Sequence, residues 1–104
     1  MNLNDINDPI LDWVEERGGG YVWEPEIFSV TLLDASIDDE DADRLSRLVG
    51  VKQIAVDASR ISLDGLRKLA GIPGIASLVI SKGGLTEHDI EQLRTTCQDV
   101  QLIG

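Results

Sequence analysis

From residue 27 onward, apolar residues recur with a 24-residue period. In rows of that length the chain opens "IFSVTLLDASIDDEDADRL", "VKQIAVDASRISLDGLRKL" and "IASLVISKGGLTEHDIEQL". Ile27, Val51 and Ile75 share the first apolar column, Val30, Ile54 and Leu78 the second, and Leu32, Val56 and Ile80 the third. The second and third columns lie two residues apart, which points both to one face of a short strand. A small residue follows (Ala35, Ser59 or Gly83) where the chain turns off the sheet, then an apolar one (Ile37, Ile61 or Leu85). Asp38, Ser62 and Thr86 come next, all of types that cap helix N-termini. Acids after two of them, Asp39, Glu40 and Asp41, then Glu87 and Asp89, suit the positive end of a helix dipole. The last columns, Ala42/Leu66/Ile90 and Leu45/Leu69/Leu93, follow helical spacing. A fourth row begins at Asp99 and stops after Leu102.

Each row predicts strand, turn, helix and loop. Strands are expected near 29–33, 53–57, 77–81 and 101–103, and helices near 39–48, 63–71 and 87–97. One such unit cannot bury its apolar face alone, whereas stacked units share a core. The expected fold is α/β, a short solenoid with parallel strands on one side and helices on the other. Its units are 27–50, 51–74 and 75–98, with 99–104 a partial repeat strand, all in one domain of 1–104.

Residues 1–26 fall outside the period and read as a cap over the first unit. Asp8 is placed as a helix N-cap, Pro9 at the first helical position and Gly18 just past the end. "YVWEP" then predicts a short strand with Tyr21 and Trp23 on one face, ended by Pro25. Trp13 and Trp23 pack over the first unit in this reading; the competing one makes them aromatic anchors for a partner.

The motif L-x-x-L-x-L-x-x-N/C-x-L reads here as Val51-x-x-Ile54-x-Val56-x-x-Ser59-x-Ile61, with counterparts one period either side. This resembles a leucine-rich repeat, and "ISLDGLRKL" and "LTEHDIEQL" resemble the helical part of its cysteine-containing, ribonuclease-inhibitor-like subtype. The resemblance covers roughly 27–104 and implies a solenoid that binds another protein. One departure matters. The column that ties neighbouring turns together is Ala35, Ser59 and Gly83, so only Ser59 can make such a bond and the ladder should be weak.

Strand alternation sends a second set of residues outward. At the 24-residue spacing they form the rows Ser29/Gln53/Ser77/Gln101, Thr31/Ala55/Val79/Ile103 and Leu33/Asp57/Ser81. Leu33, Ala55, Asp57, Val79, Ser81 and Ile103 are the candidate partner-binding residues, because an apolar row on a strand face suggests a contact. The alternative is that Val79 and Ile103 simply suit a strand. The last strand also offers an edge for a homodimer.

Charge narrows the partners. Residues 1–43 carry 13 acids and one base, whereas 44–104 carry six acids and eight bases. A net charge of −10 repels nucleic acid and anionic lipid, so neither nucleic acid nor membrane is expected as a partner; it allows a basic protein partner, although solubility alone explains the charge at least as well. The start, "MNLNDINDPILDW", lacks the basic and apolar parts of a signal peptide, and the single cysteine, Cys97, cannot form an internal disulfide. Both point to the cytoplasm.

Catalytic chemistry is not expected. His88 and Cys97 lie on different faces of one predicted helix, His88 solvated and Cys97 part-buried, and no metal or cofactor is anticipated. "DDEDAD" at 38–43 lacks the glycine and alternating spacing of a calcium loop and reads as an acidic helix start. "RGGG" at 17–20 follows a helix, whereas a phosphate cradle precedes one. Two alternatives stand beside the binding module. "VDAS" and "DGL", within 54–71, resemble the phosphorylated segment of STAS-type anti-sigma-factor antagonists, which implies a switch at Ser62 or Ser59. There the acceptor hydroxyl adjoins the glycine, but here Leu63 and Asp64 precede Gly65, and Ser62 reads better as a cap. The other alternative is an accessory domain of a longer chain.

Overall fold

The computed structural model describes residues 3–22, 28–81 and 84–103, the side chains of 3–5 and 34–36 excepted. Apolar alternation produces the strands β2 (Ser29–Asp38), β3 (Gln53–Arg60), β4 (Ser77–Ser81) and β5 (Asp99–Ile103). Between them, each cap residue opens a helix: α2 (Asp39–Leu45), α3 (Leu63–Ala70) and α4 (Glu87–Arg94). Ahead of these stand α1 (Leu3–Glu16) and β1 (Gly20–Val22). The sheet order is β1-β2-β3-β4-β5, with β1 antiparallel to β2 and every other pair parallel. The fold is thus mixed α/β: a mostly parallel, open sheet with four helices.

Inward strand residues Val30, Leu32, Ile54, Val56, Leu78 and Ile80 are fully buried. They form one core with Ile10, Leu11 and Val14 of α1, Leu45 of α2, Leu66 and Leu69 of α3 and Leu93 of α4. Ala55 and Val79 are buried but lie outside that core, on the opposite face. All four helices therefore cover one face of the sheet.

The pairing follows the sequence period up to β4: Ser29 lies opposite Gln53, and Gln53 opposite Ser77. The last strand departs from it. Ser77 pairs with Asp99, Val79 with Gln101 and Ser81 with Ile103, a step of 22 residues. The α4–β5 connection, 95–98, is two residues shorter than the α3–β4 connection, 71–76, which accounts for the slip. The 24-residue spacing would have put charged Asp99 in the buried column of Val51 and Ile75. A slip of two keeps each side chain on its face, as a slip of one would not, and brings Val100 opposite Leu78. The row Thr31/Ala55/Val79/Ile103 expected from the sequence is corrected accordingly. Gln101 occupies its last place, and Ile103 joins Asp57 and Ser81.

Three further expectations change. First, α1 starts at Leu3 instead of after Asp8, with Pro9 inside it. An internal proline removes one helix hydrogen bond. Here buried Asn7, one turn from the start, ties the helix to the segment after α2: its amide donates to the Val49 carbonyl and its oxygen accepts the Val49 N–H, both at 2.9 Å. Gly18 stops the helix at φ +83, with its N–H on the Glu15 carbonyl. Second, Cys97 is fully buried and not part-buried, and desolvation raises its thiol pKa. Third, β2 and β3 run on to residues 38 and 60, with irregular register beyond Leu32. Ile27, Trp23, Pro25 and Gly83 lie outside the described residues, as does the Ala35 side chain.

The small-residue column lies partly outside the described residues, at the Ala35 side chain and Gly83, but neighbouring units are linked along their helices. Asp39 Oδ1 accepts from the Ser62 backbone N–H at 2.8 Å and its hydroxyl at 3.0 Å, joining the starts of α2 and α3. A Cβ on Gly65 would stand 2.5 Å from that oxygen and 2.7 Å from Ile61 Cγ2, so glycine permits the approach. Asp43 pairs with Lys68 at 3.3 Å, and Arg67 bonds Gln92.

The same carboxylates set an acid response. Asp38 caps α2 reciprocally with Asp41, and the Asp41 N–H is the main cause holding the Asp38 pKa below its usual value. The Asp43 pKa is also lowered, chiefly by the Lys68 ammonium and then by Arg47. A lowered folded-state pKa contributes stability above the unfolded value, near 3.8, that is lost as pH falls through it toward the folded value. Asp43→Asn should therefore lower Tm slightly at pH 7 and flatten its fall between about pH 5 and 2. Thermal melts across that range check this; an unchanged acid slope would remove Asp43 from the account.

Candidate functional site

The face away from the helices is built by alternation. Its first row is Val22, Ser29, Gln53, Ser77 and Asp99. The second is Gly20, Thr31, Ala55, Val79 and Gln101. Beyond it lie Ser36, Asp57, Ser81 and Ile103, paired in series. Five of the six residues singled out in the sequence, Ala55, Asp57, Val79, Ser81 and Ile103, lie on this face; the expected row Leu33/Asp57/Ser81 is corrected, because the register shifts after Leu32 and Ser36, not Leu33, pairs with Asp57.

They do not contribute equally. Ala55 and Val79 sit side by side but are only 7% and 9% exposed, since both are central in the sheet. Leu33 and Ser81 are half-buried. Asp57 is buried, and one of its oxygens accepts the Ser59 N–H at 2.9 Å. Ile103, on β5, is 42% exposed. The face has a second exposed apolar residue that the sequence reading missed: Val22, 47% exposed and paired with Ser29. The antiparallel β1 put it there, outside the 24-residue period that was the only guide to rows.

The helix side is a separate surface. Tyr21 pairs with core residue Val30, and Glu15 of α1 raises its phenol pKa, chiefly by hydrogen bonding, which places Tyr21 on the α1 side. Trp13 is half-buried against the core, with Arg17 and Arg44 guanidinium carbons 5.6 and 5.0 Å from its ring centroid. Leu102 shares the inward row of Ile80 yet is 46% exposed, against the burial expected for its column. Arg94 donates to the neighbouring Val100 carbonyl at 3.1 Å.

Among the described residues, no three His, Cys, Asp or Glu side chains are grouped to hold a metal ion. Four of the five acids of 38–43 are engaged with backbone and bases, Asp38 and Asp41 with each other's N–H, Asp39 with Ser62, and Asp43 with Lys68 and Arg47, while Glu40 is exposed. Exposed His88 meets Gln92, far from Cys97 in the buried core. Among the described residues no helix is long and apolar enough to cross a membrane. No protein family, curated protein or solved structure matches this chain.

Proposed function

We propose that this chain is a non-catalytic interaction module of leucine-rich-repeat type that binds another protein through the helix-free face of its sheet. The observation that carries the reading is the second row. Ala55 and Val79 lie side by side at its centre, only 7% and 9% exposed, and exposed Val22 and Ile103 stand in the neighbouring rows toward the two sheet edges. Interfaces centre on such apolar patches inside a polar rim, here Thr31, Gln53 and Gln101. The 24-residue strand offset supports the repeat, and the short turns expected of a solenoid are the finer part of the proposal.

Thr31→Arg with Gln101→Arg tests the face. Both positions are exposed and flank Ala55 and Val79 in one row, so two long cations would cover the apolar centre. Stability should change by less than about 0.5 kcal/mol per site, as at ordinary surface positions. Partners captured from native cells by the unaltered chain should be lost, whereas Glu91→Arg on the helix side should retain them. A double variant that keeps every partner would remove this face from the account.

A second contact is supported by Leu102, half-exposed in a row whose other members, Leu32, Val56 and Ile80, are fully buried. An added strand beside β5 would cover it, and a homodimer formed there is read by light scattering.

A further inference from the structure

Most bases among the described residues are engaged. Arg17 pairs with Asp41, Arg47 and Lys68 with Asp43, and Arg67 with Asp64. Arg44 lies over Trp13, and Arg94 holds the Val100 carbonyl. Lys52 and Arg60 have no ion pair, side-chain hydrogen bond or ring partner among the described residues. Arg60 is exposed, as a solvated base can be. Lys52 is half-buried, in a chain with 19 acids and nine bases.

Lys52 lines a cavity of about 300 Å³ where β2, β3 and β4 begin. Val22, Phe28 and Ala76 make its apolar part. Ser29, Gln53 and Ser77 make its polar part, and Asp99 already holds the Ser77 hydroxyl at 3.0 Å. The Lys52 backbone is fixed at both ends: its N–H donates to the Phe28 carbonyl at 2.7 Å, and its carbonyl accepts from Ala76 and Ser77 at 2.8 and 3.0 Å. The ammonium lies beside Gly74, where a built Cβ would stand 3.7 Å from Nζ. A lysine with no carboxylate partner among the described residues leaves its ammonium free to pair with an incoming anion. Apolar walls around a few placed polar groups are the make-up of a small recognition pocket.

We infer that this pocket takes an acidic side chain of the partner together with an apolar neighbour, and so selects an apolar–acidic peptide segment. The carboxylate pairs with the Lys52 ammonium and accepts from the Ser29 hydroxyl and the Gln53 amide, while the apolar neighbour lies on Val22 and Ala76. Val22, Ser29, Gln53 and Ser77 form the first outward row, so the pocket continues the proposed binding face, and the inference rests on that reading.

The test is a two-dimensional NMR titration of the full chain with acetyl-Leu-Glu-Leu-amide and acetyl-Leu-Gln-Leu-amide. The glutamate peptide should shift the amides of Ser29, Gln53 and Ser77 saturably. Binding should weaken about fivefold for the glutamine peptide, and equally for Lys52→Met, which keeps the apolar stem. Equal affinity for the two peptides, or no saturable shift up to about 10 mM, overturns the inference. Equal shifts from acetate alone make this a small-anion site and overturn the peptide assignment. Binding seen only after Glu24→Gln with Glu26→Gln means that the chain supplies its own carboxylate, which also overturns it. The Thr31→Arg/Gln101→Arg variant should still bind the glutamate peptide, so failure of the pocket and failure of the central row are read separately.

Discussion

Leu69→Ala should destabilise the protein by about 2–5 kcal/mol, the usual range for truncating a buried leucine. Leu69 is fully buried in α3 and belongs to the core shared by all four helices and the inward strand residues. The lost methyl groups leave a cavity in a unit flanked on both sides, where packing leaves little room to collapse. Each kcal/mol corresponds to about 4–8 °C of Tm in a chain of this size. Ser62→Ala, on the same helix, sets the scale. Ser62 accepts the Gly65 N–H at 3.2 Å and donates to Asp39, both at the exposed cap, so its loss should cost only about 0.5–2 kcal/mol. Denaturant unfolding of both variants checks the order. A Leu69→Ala protein as stable as Ser62→Ala would contradict the assigned core.

Asn7→Ala should be the next most damaging change, at about 1–3 kcal/mol. The Asn7 amide makes two 2.9 Å bonds to the backbone of Val49, and its removal leaves a donor and an acceptor in a part-buried site without their partner. Asn7→Asp should be no better at neutral pH, because a carboxylate can accept the Val49 N–H but opposes the Val49 carbonyl. Loosening should begin at α1, where Trp13 reports it. The near-ultraviolet dichroism of the tryptophans should weaken before the far-ultraviolet signal does. A variant melting within a degree of the parent would show that α1 does not depend on this contact.

The contrast between these two residues shows what was legible in the sequence. Leu69 stands in a column repeated at Leu45 and Leu93, and periodicity alone marks it as core. Asn7 has no such signal. Its role depends on Val49, 42 residues away, and a local reading at Pro9 instead placed the helix start after it. The strand faces were legible for the same reason as Leu69, since alternation is a local property. The register of β5 was not. It depends on the length of one connection, and assuming a constant period carried Ile103 into the wrong row. The Asp39–Ser62 link also escaped, because the expected ladder was sought at the small-residue column and the bond forms at the caps. Val22 reached the outer face through an antiparallel strand that no repeat predicts.

The central claim is that a partner lies on the helix-free face. Methyl cross-saturation tests it most directly: a partner captured from native cells is irradiated, and signal loss is read at the methyls of this chain. Loss should be greatest at Val22, Ala55, Val79 and Ile103, with Leu66, Leu69 and Leu93 of the helix-side core unaffected. Loss centred on the helix side instead, at Leu63, Leu85 and Ile90 with the four sheet residues unchanged, would contradict it.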